Sequence, residues 1–194
     1  MIKLPHFTIK SIALCAVLMP AIALFPSEIY AQAAPDALQT RIELSLQRIA
    51  SVKPKAKDTQ QRYAMEKAQC WLDFAKHEVL RNNPTDIAEL AHGKALQLIN
   101  AFDSGTTLSA TELDSSLQKN TARMRGDLWA QLDSVKSSSQ MACAVKAVAC
   151  GEVMLVQAAH AHARIDWRYS QSYFGMAEDW VRSAKKQALA CPAQ

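Results

Sequence analysis

Apolar residues recur at three- and four-residue spacing across residues 141–180, MACAVKAVACGEVMLVQAAHAHARIDWRYSQSYFGMAEDW, which hold almost no turn residues before Tyr169. That pattern predicts a long helix against which the other helices pack. Upstream, Tyr63, Ala64, Cys70, Trp71, Phe74, Ala75 and Val79 form a broad stripe over 58–81. Gln60, Gln61, Lys67, Asp73, Lys76 and Arg81 fill much of the opposite face. Asn82-Asn83-Pro84 ends this helix, and Asn83 or Thr85 caps the next. The second helix carries Ile87, Leu90, Ala91, Ala95, Leu98 and Ile99 and closes near Asn100. Gly93 weakens its middle by about 0.8–1 kcal/mol relative to Ala, so a neighbouring backbone is expected close by.

After the turn Asp103-Ser104-Gly105, Ser109 and Glu112 have the spacing of a capping box. Leu113, Leu117, Met124, Leu128, Leu132 and Val135 then predict a third helix that stops at the Ser137–Ser139 cluster. A weaker pattern (Leu38, Ile42, Leu44 or Leu46, Ile49) marks a short helix in a mobile lead-in over 34–57, stopped at Pro54. The reading is all-α: a disulfide-linked antiparallel bundle of four or five helices, built on the long helix and occupying 58–194. A chain of 194 residues suits one such domain.

The N-terminus changes the picture. Lys3 and Lys10 precede an apolar run, Ile12 to Phe25, and Ala31-Gln32-Ala33 supplies small residues for cleavage, so 1–33 reads as a signal peptide. The run is shorter than the roughly 20 residues of a spanning helix, and recurring charges argue against a transmembrane segment in the mature chain. Cys15 sits in mid-run after Leu14, not at a lipoprotein site. The formal charge of +4 falls to +3 once the leader is removed, without a dense basic stripe, so no nucleic-acid partner is implied.

Four cysteines follow the leader: Cys70, Cys143, Cys150 and Cys191. An even number in an exported chain implies disulfides. Cys143 and Cys150 stand two helical turns apart, about 10.5 Å, beyond the roughly 7 Å that a bridge spans. Each therefore needs an outside partner, and Cys70 serves only one. Cys191 reaches the other if the chain folds back between Tyr169 and Gly175, leaving a final helix from Met176 to Leu189. The rival is an unbroken helix with Cys191 free or bridging to another chain.

Candidate chemistry is sparse. His160 and His162 point about 200° apart on a helix, whereas His162 and Asp166 share a face, which gives the rival reading of a small-ligand or metal-binding bundle. His160 is expected inside, against a carboxylate. Asp73, Lys76 and His77 form a conceivable proton-transfer group, but no strained nucleophile, Gly-rich loop or HExxH pair accompanies them. The expectation is a non-enzyme without cofactor. Trp167 with Arg164 and Arg168, and Trp180 with Arg182, are the candidate partner-binding residues.

The stretches AMEKAQCWLDFAKHE (64–78) and ACGEVMLVQAAHAHARIDWRYSQSYFGMAEDW (149–180) resemble a helical periplasmic region of some proteobacterial outer-membrane proteins. There it accompanies a peptidoglycan-associating domain of the OmpA type. The resemblance rests on Gln69-Cys70-Trp71-Leu72-Asp73-Phe74, Cys150, Glu152, His160, Trp167-Arg168, Tyr173 and Ala177-Glu178-Asp179. Relatives tend to place a proline after the Trp-Arg pair, where this chain has Ser170-Gln171-Ser172. The resemblance implies the helical part alone, without the accompanying domain, so direct cell-wall binding does not carry over. It implies a structural or adaptor subunit of a cell-envelope assembly, in the periplasm or at the outer membrane, with an outer-membrane or OmpA-type partner.

Overall fold

The computed structural model describes residues 26–81, 85–106, 108–109, 113 and 123–192, with side chains from Ala37 onward. The chain divides into residues 1–37 and a compact unit, 38–194; the leader's charged and apolar runs lie outside the described residues. The helices are α1 (Pro26–Val52), α2 (Thr59–Leu80), α3 (Ile87–Asp103), α4 (Gly126–Lys136), α5 (Met141–Arg164) and α6 (Trp167–Leu189), with a 3₁₀ turn at Lys53–Lys55. Among the described residues this is an all-α, disulfide-containing bundle of six helices without strands, rather than four or five.

The bundle is organised around α5, whose residues 147–161 are buried without interruption. Small side chains make this packing achievable. A Cβ at Gly151 would stand 3.2 Å from a Leu132 methyl and 3.4 Å from the Trp180 Cβ, so α4 and α6 close on that glycine. Gly93 shows the reverse: nothing lies within 4 Å of its Cβ position, and the neighbouring backbone expected there is absent. The sequence-based exclusion of spanning helices was also too strict. By length and composition α5 could cross a membrane, but 83% of its most apolar window is buried inside the bundle.

The long helix ends at Arg164, earlier than the 169–175 turn expected from sequence. Asp166 is extended (φ −166°, ψ 146°), and its carboxylate accepts the Arg168 N–H at 2.9 Å, capping α6 at Trp167 rather than Met176. The serines that suggested a turn are helical. Ser170 donates to the Trp167 carbonyl at 2.6 Å and Ser172 to the Tyr169 carbonyl at 3.0 Å. Fold-back therefore occurs at Ile165–Asp166, and Cys143 at the start of α5 meets Cys191 just past the end of α6 (Cα–Cα 5.8 Å).

The other helices differ mainly at their ends. Asp58 caps α2 by accepting the Gln61 N–H at 2.7 Å. The α3 helix starts after Asp86, not at an Asn83 or Thr85 cap, and runs on to Asp103; Asn83 and Pro84 lie outside the described residues. A left-handed Arg125 (φ 57°) separates Met124 from α4, so the expected continuous third helix does not pass through that point. Glu112 of the expected capping box and Leu117 lie outside the described residues.

The lead-in over 34–57 is instead largely helical, and from Leu38 it belongs to the compact unit. Ile42 and Ile49 are fully buried, Leu46 is partly buried and Leu44 is exposed. Polar contacts tie this half of α1 to α3: Arg41 pairs with Glu89, the Ser45 hydroxyl meets the His92 Nε2 at 3.0 Å, and Arg48 pairs with Asp103.

Helices adjacent in sequence pair antiparallel within α2/α3, α4/α5 and α5/α6. By contrast α2 and α5 run in the same direction: Cys70 is bonded to Cys150, and farther along both helices Glu78 and His160 border one small cavity. The bundle is therefore not antiparallel throughout.

Candidate functional site

The most concentrated polar chemistry lies inside the stripe assigned to the core. Tyr63 and Lys67 are one helical turn apart on α2, Lys136 ends α4, and Glu152 sits in the most apolar part of α5. Glu152 and Lys67 are 1% and 2% exposed, and the Lys67 ammonium donates to Glu152 Oε2 at 2.7 Å. Lys136 donates to the other carboxylate oxygen at 2.9 Å. The Tyr63 hydroxyl donates to Glu152 and accepts from Lys67 at 3.0 Å and Lys136 at 3.1 Å. Lys67 also donates to the Leu113 carbonyl.

This arrangement obeys the rule that a buried charge must be paired and hydrogen-bonded. Burial pushes the Glu152 carboxyl upward in pKa, but the two ammonium groups and their hydrogen bonds outweigh it and hold it below its ordinary value. The cluster thus remains ionic. Sequence reading missed it by placing Lys67 on the wet face. The available signal was a carboxylate, Glu152, alone in a long apolar run, together with Tyr63 and Lys67 at i and i+4.

Beside the cluster opens a cleft of about 470 Å³, bordered by Thr59, Tyr63, Leu113, Lys136, Met141 and Ala142. Lys136 is 32% exposed on its side chain, so it joins the buried carboxylate to the open space.

A second polar group lies toward the far ends of α2 and α5. Buried Glu78 accepts from the Tyr173 hydroxyl at 2.8 Å, Tyr173 packs edge-on to Tyr169, and the Arg81 guanidinium lies 4.7 Å over the Tyr169 ring. Desolvation, with the contacts to Tyr169 and Glu78, raises the Tyr173 pKa. His160 is buried here, as expected, but its Nε2 has no hydrogen-bond partner among the described residues, so the expected carboxylate contact is not made. Desolvation and then Arg164 lower its pKa.

The sequence-named residues separate into different places. Cys70 and Cys150 are buried and bonded (Cα–Cα 5.4 Å), whereas Cys143 and Cys191 bond at the surface. Trp167 is 56% exposed, the Arg168 guanidinium stands 5.4 Å from its ring, and Arg164 is exposed at the end of α5. Trp180 is not on that patch: it is partly buried against the core beside Gly151, while Arg182 pairs with Asp179 at 2.9 Å. His162 and Asp166 are exposed, and Asp166 is engaged as the α6 cap. No group of three or more metal-ligating side chains occurs among the described residues. Asp73 and His77 face solvent, with Asp73 bonded to Gln69 and His77 near Arg81, remote in role from the buried cluster.

No family model, curated protein or solved structure matches this chain.

Proposed function

We propose that the protein is an exported, non-catalytic helical adaptor of the bacterial cell envelope, acting in the periplasm or at the inner face of the outer membrane. Its tip, the junction of α5 and α6, docks on an envelope protein through Arg164, Ile165, Trp167 and Arg168. The observation that carries this reading is the exposure of Trp167 under a stacked arginine, while Trp71 and Trp129 are buried and Trp180 is half-buried. An exposed indole beside a guanidinium group, near Ile165 at 44% exposure, has the composition of an interface anchor. The complement this face calls for is an apolar socket rimmed by carboxylates, proposed here to lie on an outer-membrane or OmpA-type partner. Two disulfides fit an oxidising compartment.

A photo-crosslinking residue in place of Trp167, in otherwise native protein expressed in its own cells, tests the proposal. The expected result is one discrete adduct with an outer-membrane-fraction protein, weakened by Arg168→Glu. Absence of that adduct, or an adduct indifferent to Arg168→Glu, overturns the docking face. Four reduced thiols in protein trapped with alkylating reagent overturn the compartment.

A further inference from the structure

The cleft beside the ionic cluster is distinct from the docking tip and has a chemistry of its own. One wall is apolar, formed by Leu113, Met141 and Ala142. Lys136 also borders the cleft, with its ammonium donating to Glu152 and Tyr63 and lying 4.7 Å from the centre of the Tyr63 ring. The ammonium is fixed from behind by the buried carboxylate, so it faces the cleft preorganised. The first-turn residues of α2 (Thr59, Gln60) and of α5 (Met141, Ala142) also border the space, and both helix ends carry partial positive charge. The exposed Ser139 adds a hydroxyl at the rim. A volume of about 470 Å³ lies within the range of small-molecule sites.

We infer that this cleft binds a small amphiphile with a single anionic head, a medium-chain carboxylate. The carboxylate accepts from the Lys136 ammonium and the chain lies along Leu113, Met141 and Ala142. A cationic head is repelled by Lys136, and an uncharged one forgoes the charge-assisted hydrogen bond that favours the carboxylate. Salt weakens the complex because Lys136 is partly open to solvent.

Titration calorimetry of the full oxidised protein with octanoate, octanol and octylamine tests this. Octanoate is expected to bind saturably in the millimolar range or tighter, with octanol at least ten-fold weaker and octylamine without saturation. Lys136→Met is expected to weaken octanoate at least ten-fold. Ala142→Phe, which fills the apolar wall and leaves the ionic cluster intact, is expected to do the same. Circular dichroism of each variant confirms the helical fold before titration. No saturable octanoate binding overturns the inference, as do equal affinities for octanoate and octanol. Undiminished binding by folded Lys136→Met or Ala142→Phe also overturns it.

Discussion

Replacing Glu152 by Gln removes one negative charge from a nearly dry site while leaving every atom position occupied. Two ammonium nitrogens stand 2.7 and 2.9 Å from the carboxylate oxygens. At an effective dielectric of about 20, each contact is worth roughly 6 kcal/mol of attraction before desolvation is counted. Desolvation of Lys67 and Glu152, at 2% and 1% exposure, offsets most of that. The asymmetry remains: Glu152→Gln leaves two ammonium groups without the carboxylate they share. The expected loss is about 3–5 kcal/mol, a large share of a typical 5–15 kcal/mol domain stability. For a domain of this size it lowers Tm by about 6–20 °C.

Urea denaturation followed by far-ultraviolet circular dichroism, with both disulfides intact, measures the change. Lys136→Met is expected to destabilise far less, about 1 kcal/mol, since Lys67 still neutralises the carboxylate and Lys136 is already one-third exposed. The double variant Lys67→Met/Glu152→Leu is expected to recover most of the Glu152→Gln loss, because apolar replacements remove the need for pairing. A Glu152→Gln loss below about 1 kcal/mol, or a double variant no better than the single, refutes this account of the cluster.

The bridges close loops with sequence separations of 80 residues (Cys70–Cys150) and 48 residues (Cys143–Cys191). Chain entropy sets their stabilisation at about 4.5 and about 4 kcal/mol respectively, and paired Cys→Ala variants in urea melts check the ranking. Mild reductant is expected to open the surface Cys143–Cys191 bond first, read by alkylation and mass spectrometry. Gly93→Ala, in open space, is expected to stabilise by about 0.5–1 kcal/mol. Gly151→Ala is expected to fall short of that gain, because the Leu132 methyls, 3.2 and 3.3 Å from the new Cβ, must give way. Desolvation, with Arg41 for His92 and Arg164 for His160, lowers both histidine pKa values from 6.5. The unfolded chain then binds protons first as pH falls, so stability is full above about pH 6.5 and declines as the pH drops below it. Urea midpoints across that window should show the decline, and His92→Gln/His160→Gln should flatten it.

The sequence alone determined where most helices lie, because burial on one side imposes a 3.6-residue period that Tyr63, Cys70, Trp71 and Phe74 display plainly. It also determined that Cys143 and Cys150 could not join, since helical rise separates them. Only the tertiary structure decided the partners, Cys70 with Cys150 and Cys143 with Cys191. The decisive bend came at Asp166 through a side-chain cap, whereas the serines expected to bend the chain bonded to helical carbonyls. Lys67 illustrates the deeper limit. Taken one residue at a time, a lysine belongs in water. Its burial becomes favourable only when a carboxylate 85 residues away, on a helix running in the same direction, arrives within hydrogen-bonding distance. Periodicity records which face of a helix is covered. It carries no record of what covers that face, and for this protein the covering groups set both the ionic cluster and the cleft beside it.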